Sequence, residues 1–179
     1  MPTSSQSLDS RLTSQPSATQ SRITLRNTAE LAGRILLMSL FLLSGLGKLS
    51  AYAATTGYMA SAGVPGALLP LVIATEVLGS LAIILGWHTR VVSLLLAGFT
   101  LLSAVLFHNN FADQVQMIMF FKNLSITGAF VMLAVNGAGA LSLDARKAKQ
   151  SSGSRRRSAG AFFGYMKFRR SHGHHPDSA

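Results

Sequence analysis

Four stretches of this 179-residue chain are apolar for about the 20 residues that an α-helix needs to cross a bilayer. They run roughly over residues 31–50, 67–86, 89–108 and 117–136. From 31 to 138 only Arg34, Lys48, Glu76, Arg90, Asp113 and Lys122 are charged. No soluble globule hides so much apolar surface behind so few charges. In lipid the backbone must satisfy its own hydrogen bonds, which leaves helices or closed barrels. The runs are continuous rather than alternating, so they predict helices. The expected fold is all-α, an antiparallel four-helix membrane bundle with short connections.

The remaining charges lie in the ends and are mostly basic, giving a net charge of +10. Next to an apolar middle, that charge points to membrane orientation and lipid headgroups; nucleic acid is not an expected partner. Arg11, Arg22 and Arg26 precede the first span, Arg90 follows the second, and nine Lys or Arg follow residue 144. The connections after the first and third spans carry only Lys48 and Asp113. The positive-inside rule then places both termini in the cytoplasm. Residues 1–28, with 12 Ser or Thr and no apolar run, read as a disordered tail. Residues 29–143 form the membrane domain and 144–179 a basic-aromatic cytoplasmic tail. In that tail Arg155, Arg156, Arg157, Lys167, Arg169 and Arg170 are expected to contact anionic lipid. Between the first two spans, Tyr52 and Tyr58 read as interfacial anchors on a short surface helix, and Gly63-Val64-Pro65-Gly66 as a turn.

There is no cysteine, which excludes disulfides, thiolate metal sites and dithiol chemistry within this chain. No nucleotide loop, haem attachment or hydrolase triad is present. His88 and His108 fall at opposite ends of a span and cannot share a metal, so no metal site and no covalently held cofactor are expected.

Chemistry is then carried by the ionisable residues inside the spans. Each costs about 2.5–3.5 kcal/mol at a helix centre, so each should face the bundle and find a partner. At 1.5 Å per residue, Glu76 lies mid-span, Lys122 about 7 Å and Lys48 about 11 Å outward of the middle, and Arg34 about 10 Å inward. His108 closes the outer end of the third span. On depth alone Lys122 is the nearest partner for Glu76. Glu76, Lys48, His108 and Lys122, with Asn123 one residue further on, define a candidate polar pocket open to the outer side. An ion pair that merely fixes helix register explains the same residues without chemistry.

The order of these marks resembles the DoxX family of small four-helix membrane proteins. The stretches that carry the likeness are Arg34 with Ser44-Gly45-Leu46-Gly47-Lys48-Leu49, Gly63-Val64-Pro65, and Glu76-Val77-Leu78-Gly79-Ser80-Leu81-Ala82 running to Thr89-Arg90. Phe107-His108, Lys122-Asn123-Leu124 and Gly137-Ala138-Gly139-Ala140-Leu141-Ser142-Leu143-Asp144 complete it. The likeness covers roughly residues 30–145. It implies a bacterial inner-membrane protein whose polar positions are Arg34, Lys48, Glu76, His108 and Asn123. It also implies a setting in quinone-linked or redox-defence oxidoreductase systems with a soluble or membrane partner enzyme. Quinone is the cofactor that setting suggests. A proton-coupled carrier, which would need a homo-oligomer, and a membrane scaffold for a soluble enzyme are the alternatives.

Overall fold

The computed structural model describes residues 18–152. Within them the chain is helical, in the order α1 (Ala18–Ser50), α2 (Tyr52–Ser61), α3 (Leu69–Leu85), α4 (Thr89–Phe107) and α5 (Gln114–Asn136). A 3-10 turn, Gly66–Leu68, leads into α3, and a further helix, α6, begins at residue 143. Four helices are long and apolar enough to cross a membrane, and each overlaps one of the four expected spans. The basic residues from Arg155 to Arg170 lie outside the described residues.

Each span begins and ends where its backbone can be satisfied. Pro70 sits in the first turn of α3, where a missing N–H costs nothing. Asp113 caps α5, its carboxylate accepting from the amides of Val115 (2.7 Å) and Gln116 (3.2 Å). α3 ends at Gly86, which takes φ +67°, while the amides of Gly86 and Trp87 return to the carbonyls of Ile83 and Ala82.

The residues of 18–28, expected to be disordered, are helical instead. At about 50 Å, α1 outruns a hydrocarbon core of about 30 Å. Its membrane part supplies the nucleus, so further turns add at no nucleation cost. Thr24 and Thr28 donate to the carbonyls one turn back, and Arg26 pairs with Glu30 at 3.1 Å. Polarity alone therefore misjudged this segment.

α1 packs along α3, α4 along α5, and α3 joins the two pairs through α4. The core fills one half of the bundle: Met38 and Phe41 of α1, Ile83 of α3, Leu96 and Ala97 of α4 and Phe130 of α5. Phe41 and Phe130 meet edge to face at 5.3 Å. Outward, Leu36, Leu43, Leu71, Leu95 and Val135 are each about two-thirds or more exposed. Helices apolar on every side belong in lipid, since such a surface would aggregate in water.

At the end beyond the core, the chain folds back on itself. Asp144 accepts from the amides of His88 and Thr89 (both 2.9 Å), capping α4, and its own amide donates to the Gly86 carbonyl. Arg34, buried, donates to the carbonyls of Ile83 and Ile84 (3.1 Å each) at the end of α3 and to that of Leu141 (2.5 Å). A guanidinium thus satisfies carbonyls that α3 leaves open, at the negative end of its dipole. A Cβ on Gly86 would lie 2.3 Å from the Ser142 Cβ and 2.7 Å from an Arg34 nitrogen, so only glycine lets the two segments meet here.

Candidate functional site

Toward α2 a second apolar cluster packs Met59, Leu69 and Ile73 against Val64, Val72, Val77 and Phe107, and the space between it and the Phe41–Phe130 contact is left open. This space is a cavity of about 440 Å³, within the range typical of small-molecule sites. All four spans and α2 contribute to its walls. α2 faces it with Thr55, Tyr58 and Met59, and Tyr58 stacks on Phe107 at 5.5 Å.

Lys48 and Glu76 form its polar centre. The Lys48 ammonium donates to both Glu76 carboxylate oxygens (2.9 Å each) and to the Ser44 hydroxyl (2.6 Å). Ser44 in turn donates to Glu76 Oε1 at 3.3 Å. The Glu76 side chain is 7% exposed and that of Lys48 25%. All three ammonium protons are used, and the carboxylate is neutralised where desolvation would be most costly.

The partner of Glu76 is therefore Lys48 and not Lys122, against the reading from depth. Two physical facts decide it. Helical Cα–Cβ bonds tilt toward the N-terminus. In the antiparallel pair α1 and α3, Lys48 therefore leans back toward the middle and Glu76 leans out to meet it. The helices also approach closely, because at Gly45 a Cβ would come within 2.8 Å of the Val77 side chain. Lys122 stands on α5, which packs along α4, so the cavity itself separates it from Glu76. Its ammonium reaches only the Met119 sulfur, at 3.1 Å.

His108, Lys122 and Asn123 line the same cavity. His108 Nδ1 lies 2.8 Å from the Gln116 side-chain oxygen, which fixes the ring across the connection between α4 and α5. Lys48, Glu76, His108, Lys122 and Asn123 thus share one cavity, whereas Arg34, the sixth polar candidate, serves the opposite end. Ser44 and Gln116 were not expected at the site, and Tyr58 was expected only as an interfacial anchor. Only Ser44, one helical turn before Lys48, left a signal in the sequence. Asp144 carried no sign of its capping role, which depends on a connection 56 residues away.

The rim of the cavity is mostly apolar, with Tyr58 and Lys122 as its exposed polar members. Leu40, Leu68, Leu71, Leu102 and Leu106 line it while remaining exposed. Among the described residues, no group of His, Asp or Glu is arranged to hold a metal.

Four spanning helices with a buried ion pair in a leucine-rimmed cavity define a small multi-pass membrane protein with an internal polar site. The DoxX family model matches residues 29–109, which contain Lys48, Glu76 and His108. Inner membrane protein YqjF of Escherichia coli is 52% identical over 120 residues, covering 67% of this chain and 92% of the relative. Inner membrane protein YphA of the same organism is 41% identical, covering 65% of this chain and 88% of the relative. No solved structure matches. The chain belongs to the DoxX family and is a multi-pass inner-membrane protein.

Proposed function

We propose that this protein is the membrane subunit of an oxidoreductase system and that its cavity takes the ring of a quinone from the bilayer. The observation that carries the reading is the Lys48–Glu76–Ser44 cluster set inside a leucine-rimmed cavity within the span. A water-borne solute would need a polar mouth. A leucine rim instead suits a ligand that is already in lipid, with a polar head and an apolar tail. About 440 Å³ accommodates one substituted ring, and the tail leaves past the leucines.

In this reading Ser44 and Asn123 hydrogen-bond the ring oxygens. Glu76 exchanges a proton with one of them, and Lys48 holds the carboxylate in place while it is charged. Reduction of a quinone to a quinol takes two electrons and two protons. The electrons come from a partner enzyme, because this chain has no thiol and no metal site among its described residues.

The test is mass spectrometry of the protein purified gently from its own membrane, beside a Glu76→Gln variant. Stoichiometric quinone on the wild type, reduced several-fold in a variant that is less stable but still folded and monodisperse in detergent, is the expected result. A folded wild type free of quinone and of any co-purifying dehydrogenase overturns the reading and moves a carrier function to the front.

A further inference from the structure

The charges around the cavity do not balance. Its titratable side chains are Glu76, Lys48, Lys122, His108 and Tyr58. Glu76 is fully engaged by Lys48. Among the described residues Lys122 has no carboxylate within 4 Å, and the ion pairs there are Arg26–Glu30 and Lys48–Glu76. Its ammonium rests on a thioether, a weak acceptor. It stands 8 residues into a spanning helix, about 12 Å from its start, and is exposed at the rim of the cavity, where a ligand can reach its charge. Asn123, the next residue, adds an amide to the same wall.

A cation without an anion at the wall of a binding cavity is half of an ion pair. We propose that Lys122 selects a ligand whose head carries an ionised oxygen, so the cavity prefers an anionic ring dione, such as a hydroxyquinone, over its neutral counterpart. This rests on the quinone reading of the same cavity and names the charge of its ligand. The ring then meets two unlike walls. One is neutral overall, the Lys48–Glu76–Ser44 cluster, and hydrogen-bonds a carbonyl. The other is positive and pairs with the ionised oxygen. A charge-assisted bond at that position is stronger than one to a neutral oxygen and is little screened in lipid. Lys122 is a specificity-determining residue here and takes no part in proton exchange.

The probes are two 1,4-naphthoquinones with the same alkyl chain. One bears an acidic ring hydroxyl, ionised at neutral pH, and the other a methyl group in its place. Binding is read by absorbance of the ring retained on the full chain in phosphatidylcholine nanodiscs, with empty discs subtracted. The wild type is expected to hold the ionised probe about tenfold more tightly. Lys122→Met should bring the two probes within twofold, mainly by weakening the ionised one. Lys122→Arg should keep the preference. Equal binding of both probes to the wild type, or a preference that survives Lys122→Met, overturns the inference and leaves the quinone reading standing. If neither probe exceeds empty discs on the wild type, the quinone reading falls and the inference with it.

Discussion

Glu76 is the residue on which the site turns, and its surroundings explain why it is tolerable in a membrane. An isolated carboxylate there would be neutralised or excluded. Here both oxygens meet the Lys48 ammonium, and Ser44 ties the pair together. Removing one partner leaves a buried charge with nothing opposite it, which costs about 3–5 kcal/mol. Lys48→Met should therefore lower the unfolding midpoint in detergent markedly. Adding Glu76→Gln in the same chain should recover most of the loss, because no uncompensated charge remains. A double variant as unstable as Lys48→Met would show that packing, and not charge, decides stability here.

At the scale of elements, the contacts between segments matter more than any single helix. Gly45 lets α1 and α3 approach until Lys48 and Glu76 meet, and Gly86 lets the returning segment reach Arg34. The same segment brings Asp144 onto the first amides of α4. Burial pushes the Asp144 carboxyl up, but the amides of Thr89 and His88 outweigh it and hold the group below its ordinary value. A lowered carboxyl contributes stability above its unfolded pKa of about 3.9, and loses it as pH falls through the lower folded value. Asp144→Asn should thus cost on the order of 1 kcal/mol at neutral pH, because an amide loses one of the two acceptor oxygens and the negative charge at the start of α4. The cost should vanish in strongly acidic solution, as read by thermal unfolding at several pH values. A cost independent of pH would show that the charge of the Asp144 carboxylate is not what stabilises this end of α4.

For the whole molecule, the open question is which way it faces. The basic residues Arg22, Arg26, Arg90, Arg146, Lys147 and Lys149 all belong to the end of the bundle from which α1 starts and at which α6 follows α5. The charge rule places that end in the cytoplasm and the α2 end outside. The absence of cysteine makes the test clean. A single Ala112→Cys should react with an impermeant maleimide added to intact cells, and Ser151→Cys only after lysis. The reverse pattern would turn the bundle over and put His108 and the α2 side of the cavity on the cytoplasmic face.

The sequence by itself determined the class of fold. Apolar length and charge placement act locally, through the cost of exposing backbone and charge to lipid, and so can be read without knowing any contact. They located four spans, the connecting helix and the residues whose charge needed an explanation. They did not determine which charges meet. Depth favoured Lys122 over Lys48, because depth ignores both the tilt of side chains along antiparallel helices and which helix is the neighbour. Likewise no local pattern marked Asp144 as the cap of α4. Ion pairs and tertiary caps depend on how elements approach one another, and that approach is set by glycines and packing across the bundle. Only the tertiary structure decided that Glu76 is held by Lys48, that a cavity lies beside them, and that Lys122 faces it without a partner.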